Sequence, residues 1–177
     1  NGYYSEALAH RVGPSGKVYL HNNLAYMNFA DNLNDRIAGD RLPNVEVYIR
    51  EIDNFDLPAG SLDMAILVKS YHDVYFVQDG WNVTAGPLFA AVHRILKPGG
   101  VLAIIDHHAE AGSGKAAAQD VHRIDAQFAK ADITARGFKF VGASDILQNP
   151  RDDLSKSVFD PAVRGQTSRF VFKFVRQ

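Results

Sequence analysis

The sequence predicts an α/β fold, with a mostly parallel sheet, helices on both faces and an antiparallel strand at one edge. Segments with helical periodicity alternate along the chain with short apolar segments, the order that produces parallel strands joined by helices. The segments 63–68 and 101–106 are nearly continuous apolar runs, which is typical of strands buried on both faces. The last two strand-like segments are separated by a long irregular stretch, 144–167, and can pair antiparallel at one edge.

The N-terminal part of the chain is predicted to form two helices and two strands in alternation. Tyr4, Leu8 and Val12 are four residues apart and so share one helical face. The turn at 13–16 (GPSG) ends this helix. The predicted bounds are, in order, helix 4–12, strand 17–22, helix 30–37 and strand 44–50.

The rest of the chain is predicted to continue the alternation with longer elements. The stretch 97–100 (KPGG) ends one helix sharply. A long helix follows, because Val121, Ile124 and Phe128 lie on one face, and Gly137 breaks it. The predicted bounds are strand 63–68, loop 69–84, helix 87–96, strand 101–106, helix 116–136, and strands 138–143 and 168–175.

Length and composition exclude several classes of protein. The chain has 177 residues, about the length of one domain, so 1–177 is predicted to be a single domain. Hydrophobic residues make up 46% and charged residues 22%, which excludes a disordered chain and a collagen. There is no cysteine, which excludes disulfides, thiolate zinc sites and cysteine nucleophiles. The chain has 19 basic and 20 acidic residues, and the basic residues do not form a continuous run. Both observations argue against nucleic-acid binding as the main function.

The chain contains no sequence pattern typical of a membrane protein. The apolar stretches are far shorter than the ~18–20 residues that span a bilayer, and no signal peptide is visible. We therefore expect a cytoplasmic protein without membrane contact. The chain begins with Asn1 and not with Met. A longer chain from which a signal peptide was removed is therefore the alternative.

In open α/β sheets, ligands bind at the carboxyl ends of the strands. This rule directs attention to Asn22, 51–54, 69–73 and 106–108. His72 titrates near neutral pH and is a candidate general base, with a structural histidine as the competing interpretation. Asp106 and His107 are the other catalytic candidates, and the candidates for substrate binding are Tyr71, Asp73, Tyr75, His108 and His122.

The HRID stretch adds two polar side chains to this set. His122 and Asp125 are three residues apart in the predicted long helix and so share a face. The favoured interpretation is a surface pair or an N-terminal helix-cap network. The alternative is that this face points at the same pocket, which makes His122 a substrate-binding candidate.

The same residue types suggest a second chemistry. Histidine and carboxylate side chains can hold a divalent metal, which would activate water for hydrolysis or chelate a diol substrate. The chain has no HExxH motif and no cysteine, so no metal site is predicted, and a metal-dependent hydrolase is the less favoured alternative. The residues that would form such a site are His72, Asp73, Asp106, His107, His108 and His122.

An ordered set of segments carries a resemblance to a known family. The wider set is GYYSE, GPSGKVYLHN, LPNVEVYIREIDNFDLPAGSLDMAIL and LKPGGVLAIIDH, and it resembles the class I S-adenosylmethionine-dependent methyltransferases, which have a Rossmann-like sheet. A narrower set resembles one bacterial group of predicted methyltransferases, and it consists of YHDVY, DHHAEAGSG, HRID and SVFDPAVRGQTSRFVFKF. Together these segments cover essentially the whole chain.

The resemblance implies S-adenosylmethionine as cofactor. It places Gly2 at the end of the glycine-rich cofactor loop, followed by Tyr3, and it places Asn22 at the ribose, where most members have an acidic residue. It implies that Glu51 accepts the adenine amino group, with Asp53 as a competitor. The remaining implied cofactor-binding residues are Ile52, which would pack on the adenine, and Val68 and Lys69.

The implied reaction is methyl transfer to a small polar acceptor through oxygen or nitrogen. The alternative from another class is a degenerate, non-catalytic domain that keeps the fold. The family's first strand and most of its glycine-rich loop would precede Asn1, so either the chain is a fragment or another segment or subunit fills the gap. If the chain is complete, we expect a homodimer or strand exchange.

Overall fold

The computed structural model describes residues 2–30, 32–78, 80–81 and 83–177. It divides into two compact units, residues 1–55 and residues 56–177. The prediction that 1–177 is a single methyltransferase-like domain stays a prediction.

The first unit contains two parallel strands, as the sequence predicts. β1 pairs with β2 so that Val18 lies opposite Val45 and Asn22 lies opposite Ile49. The helix predicted over 30–37 begins later than expected, at Leu33. The elements are α1 (Tyr3–Val12), β1 (Val18–Asn22), a 3₁₀ turn (Ala25–Phe29), α2 (Leu33–Ile37), β2 (Val45–Ile49) and a 3₁₀ turn (Ile52–Asn54).

Side-chain hydrogen bonds join α1 to the strands of the first unit. The Asn44 Nδ2 donates to the carbonyl oxygens of Ala9 and Gly13, at 2.9 Å each. These bonds add a second donor to two carbonyl oxygens that also accept the backbone N–H groups of Gly13 and Gly16. Ala9 also packs with Val18 and Leu42 in a small buried cluster. The end of α1 is therefore fixed beside the start of β2.

The second unit is a four-stranded sheet in the order β3-β4-β6-β5. β3 and β4 are parallel, and β6 is antiparallel to both of its neighbours. The last two strands therefore pair antiparallel at one edge, as predicted, with β6 one position inside the edge and β5 at it. The elements are β3 (Leu62–Val68), a 3₁₀ turn (His72–Tyr75), α3 (Ala85–Ile95), β4 (Leu96–His107), α4 (Ala117–Val121), α5 (Ala126–Ala135), β5 (Phe138–Ser144) and β6 (Arg169–Arg176).

The prediction of one long helix over 116–136 is wrong. The helix is interrupted between α4 and α5, where His122 has a left-handed backbone with φ 53°. Ile124 extends away from the helix and forms a parallel bridge with His108. Asp125 then begins α5 by accepting the N–H of Gln127 at 2.7 Å. His122 and Asp125 therefore share no helical face, and a helix cap, as the favoured interpretation allows, is what Asp125 forms.

The two glycines near the start of β4 allow a test of packing. A Cβ at Gly100 would lie 2.8 Å from the carbonyl oxygen of Lys97, whereas a Cβ at Gly99 would meet nothing within 4 Å. Gly99 has φ +73°, so an alanine there is strained only by its backbone conformation. We expect Gly100→Ala to lower the free energy of unfolding by about 2–3 kcal/mol and Gly99→Ala by about 1 kcal/mol. Urea denaturation measures both, and equal losses would contradict the steric argument.

Within the described ranges, no helix is both long enough and apolar enough to cross a bilayer.

Candidate active site

The carboxyl ends of β1 and β2 carry two of the predicted cofactor residues. The Glu51 Oε1 accepts the backbone N–H of Leu24 at 3.0 Å, two residues after Asn22. Within the described ranges, the Asn22 Nδ2 makes a long contact with Met27 Sδ, at 3.9 Å, and no other hydrogen bond. The fold of the first unit thus brings the loops after β1 and β2 together, and it leaves both side chains with hydrogen-bonding capacity toward a ligand.

The other predicted cofactor residues of the first unit differ in exposure. Gly2 precedes α1 in a left-handed conformation, φ 74°, which glycine adopts without strain. Tyr3 is 66% exposed, whereas Ile52 is buried. Asp53 is exposed and Glu51 is half-buried. Glu51 is therefore the better candidate of the two for accepting a hydrogen bond from a bound ligand.

In the second unit, the parallel pairing of β3 and β4 places the loops that follow them side by side. Val68 lies opposite Ile105, and the next N–H, that of Lys69, donates to the Ile105 carbonyl oxygen at 2.7 Å. Lys69 has a left-handed backbone, φ 53°, where the chain turns out of the strand. The residues after Lys69 therefore meet Asp106, as the sequence predicts.

Asp106 is the buried anchor of this site. Its side chain is fully buried. Its carboxylate accepts the backbone N–H of His72 and that of His107, each at 2.8 Å. It also accepts the ring Nδ1–H of His72 at 2.8 Å. Three donors therefore converge on one carboxylate, which fixes both loops.

His72 lies between two carboxylates. Its Nδ1 contacts Asp106, and its Nε2 lies 3.1 Å from Asp73 Oδ1. Burial alone would lower the pKa of His72, but the charge and hydrogen bonds of Asp106 and Asp73 raise it to about 10. The general-base role stays a prediction, and this pairing argues against it, because both ring nitrogens are engaged.

His107 has the opposite electrostatic environment. Burial lowers its pKa to about 4, although the charge of Asp106 opposes the shift. A hydrogen bond of 2.8 Å joins its Nδ1 to Thr167 Oγ1. Its ring centroid lies 5.9 Å from that of His72. The site thus holds one charged and one neutral imidazole near each other.

His122 reaches this site although its helix is broken. Its Nδ1 lies 3.7 Å from Asp73 Oδ1, and its ring lies between Phe76, at a centroid distance of 4.6 Å, and Phe159, at 4.9 Å. Burial alone would raise the pKa of Asp73, but hydrogen bonds from His122 and His72 lower it. Asp73 is therefore the carboxylate that joins the two histidines.

Tyr71 and Tyr75 both bind Asp132. Their hydroxyls donate to Asp132 Oδ2 at 2.9 and 2.7 Å, and Arg136 pairs with the same carboxylate. Burial, followed by the charge of Asp132, raises the pKa of Tyr71 well above its ordinary value. Tyr71 is fully buried, and its hydroxyl is already bonded within the protein. Its predicted substrate role stays a prediction that this contact does not favour.

His108 is directed to another part of the second unit. Its ring packs against Phe170 at a centroid distance of 5.4 Å, and burial lowers its pKa. Its buried Nε2 has no hydrogen-bond partner within the described ranges. The described contacts therefore group His72, Asp73, Asp106, His107 and His122, and they place His108 against β6.

An open cleft of about 560 Å³ lies beside the 3₁₀ turn that contains His72. Its lining combines aromatic and aliphatic side chains with a few polar ones. The Trp81 indole N–H donates to the Asp73 carbonyl oxygen at 2.9 Å, which ties one wall to the histidine cluster. The lining residues are Val74, Tyr75, Phe76, Val77, Trp81, Val83, Thr84, Lys115, Ala116 and Gln119.

No protein-family model matches the chain, and no curated protein matches it. Solved structures do match. A SAM-dependent methyltransferase from Aquifex aeolicus superposes with a TM-score of 0.67 over 99% of this chain and 77% of that one, at 19% identity. This chain has the fold of the S-adenosylmethionine-dependent methyltransferases.

Other structures with the methyltransferase fold differ in their named activities. The geranyl diphosphate C-methyltransferase from Streptomyces coelicolor matches with a TM-score of 0.63 at 13% identity, over 98% of this chain and 68% of that one. The cyclase SpnF matches with a TM-score of 0.56 at 14% identity, over 98% and 79%. The methyltransferase fold therefore accommodates more than one named reaction, and function must be argued from the site.

Proposed function

We propose that this protein transfers a methyl group from S-adenosylmethionine to an oxygen or nitrogen of a small polar acceptor. The observation that carries the proposal is Glu51, a half-buried carboxylate at the carboxyl end of β2 that accepts the Leu24 N–H through one oxygen. Within the described ranges its other oxygen has no hydrogen-bond partner. That oxygen is able to accept a hydrogen bond from a nucleoside.

The residues of the first unit fit a nucleoside-containing cofactor. Asn22 has an amide whose only hydrogen bond within the described ranges is the long one to Met27, so it can both donate to and accept from a ribose hydroxyl. Gly2 does not add support, because a Cβ there would lie 2.8 Å from Leu20 Cδ1, so packing within the first unit already accounts for the glycine. A structure with the same fold is described with S-adenosyl-L-homocysteine bound.

When bound, S-adenosylmethionine supplies a methyl group that its sulfonium charge activates. The protein then contributes mainly alignment of the acceptor and exclusion of water. Asp106 contributes to alignment by fixing the backbones of His72 and His107, and it is therefore a positioning residue. Tyr75 lines the neighbouring cleft, which we assign to the acceptor.

The test of the cofactor site is calorimetric titration with S-adenosylhomocysteine. We expect micromolar binding by the wild-type protein. Glu51→Gln keeps the oxygen that accepts the Leu24 N–H but loses the charge, so we expect about tenfold to hundredfold weaker binding, the effect of one charge-assisted hydrogen bond.

The matched control is Asp53→Asn, which removes an exposed carboxylate two residues away. We expect its affinity to stay within about twofold of the wild type, because exposed charges contribute little. If Asp53→Asn weakens binding more than Glu51→Gln does, the residue that contacts the cofactor is Asp53 and not Glu51. No heat of binding from the wild-type protein would contradict the proposed cofactor and favour a non-catalytic domain.

A further inference from the structure

We propose that His72, Asp73 and His122 bind one divalent transition-metal ion. The three side chains each offer one ligand atom, and these atoms all lie within 4.8 Å of one another. They come from the loop after β3 and from the break between α4 and α5, so the fold and not the local sequence assembles them. This inference does not depend on the proposed methyl transfer.

The distances fit ligands that share an ion. Zinc lies about 2.0–2.2 Å from imidazole nitrogen and carboxylate oxygen, so neighbouring ligand atoms around it are about 3.0–3.6 Å apart. Here Asp73 Oδ1 lies 3.1 Å from His72 Nε2 and 3.7 Å from His122 Nδ1. All three ligand atoms lie within 4.8 Å of one another, so ion binding would require the His122 nitrogen to move closer to Asp73 and His72. The proton on His72 Nε2 would pass to solvent when the ion binds.

Neighbouring side chains fix the rings of His72 and His122, as is usual for histidine ligands of a metal ion. A histidine ligand usually donates its other ring N–H to a carboxylate, which fixes the ring. His72 does this through Nδ1, which lies 2.8 Å from the buried Asp106. The His122 ring is held between Phe76 and Phe159, and its left-handed backbone, φ 53°, directs it toward Asp73.

The donor set indicates which ions fit. Two imidazole nitrogens and one carboxylate oxygen suit Zn²⁺, Co²⁺ or Fe²⁺ and do not suit Mg²⁺ or Ca²⁺, which prefer oxygen ligands. Three protein ligands leave at least one coordination position for water or another ligand. The side chains of Asp73 and His122 are 17% and 19% exposed, and Phe159 beside them is 59% exposed. Solvent therefore has access to that position.

The experiment is a titration of the untagged protein, stripped of metal with a chelator, with Zn²⁺ by calorimetry and with Co²⁺ by visible absorption. We expect one ion per chain and a Zn²⁺-dependent rise in the thermal midpoint. Asp73→Asn and His122→Asn should each weaken Zn²⁺ binding at least tenfold. Asparagine is chosen at 122 because it tolerates a left-handed backbone.

The matched control is His10→Ala, which removes an exposed histidine on α1 and should leave the titration unchanged. Circular dichroism establishes that each variant is folded. If a variant fails to fold, the wild-type stoichiometry and the Co²⁺ spectrum still decide, because a nitrogen-and-oxygen site gives a defined visible band. Absent Zn²⁺ binding, or equal binding by wild type, Asp73→Asn and His122→Asn, would overturn the proposal.

Discussion

Asp106→Ala is expected to lower the free energy of unfolding by about 3–5 kcal/mol. The substitution leaves two backbone N–H groups and one ring N–H, those of His72 and His107, buried without their acceptor. It also removes one of the two carboxylates that stabilise the charged His72. Urea denaturation followed by the fluorescence of Trp81, the single tryptophan, reports the loss, and the thermal midpoint should fall by roughly 10 °C.

Two comparison variants isolate the effect of burial. Asp63 is an aspartate whose side chain is 82% exposed and which pairs with Lys97. Asp63→Ala should change the free energy of unfolding by less than about 1 kcal/mol, as is usual for surface ion pairs. Asp106→Asn keeps one acceptor oxygen and should fall between the two alanine variants. Similar losses for Asp63→Ala and Asp106→Ala would show that Asp106 does not anchor the site.

Most strands could be predicted closely from the sequence because apolar runs are a local property, but β4 begins at Leu96, five residues before the predicted start at 101. β3 was predicted at 63–68 and begins at Leu62. The interruption between α4 and α5 could not be predicted in the same way. The apolar spacing through Ile124 fits a helix, but its backbone pairs with His108 and with the His107 carbonyl oxygen. Helical periodicity reports only local spacing, so it does not show that a strand distant in sequence will pair with this backbone.

In the candidate site, too, some contacts could be predicted from the sequence and others could not. Asp106 and the loop with His72 could be placed together because parallel strands end at one edge of a sheet. Thr167 and Asp132 could not, because their contacts with His107 and Tyr71 join residues 60 and 61 positions apart. The sequence offers no spacing rule for such pairs. The partners of the predicted site residues therefore emerge only from the folded chain.

Arg123→Met is expected to lower the free energy of unfolding by about 3–5 kcal/mol, because it leaves a buried carboxylate without its partner. The side chains of Arg123 and Asp152 are both fully buried and form a two-pronged ion pair at 2.7 and 3.0 Å. Arg123 also donates to the carbonyl oxygens of His108 and Lys156. It therefore fastens the irregular segment 145–168 to the sheet, and the variant should expose that segment to limited proteolysis.

A double variant separates an unpaired charge from a simple loss of packing. In the wild-type protein the Ser168 N–H donates to Asp152 Oδ2 at 2.7 Å. Adding Asp152→Asn to Arg123→Met removes the unpaired negative charge but keeps an oxygen that can accept this N–H. The double variant should regain at least about 1 kcal/mol relative to Arg123→Met. Lys156→Ala, which breaks a half-exposed pair of 3.9 Å with Asp160 in the same segment, should change stability by less than about 0.5 kcal/mol. A double variant no more stable than Arg123→Met would mean that Arg123 acts through packing and its carbonyl contacts, because the charge of Asp152 would then carry no penalty.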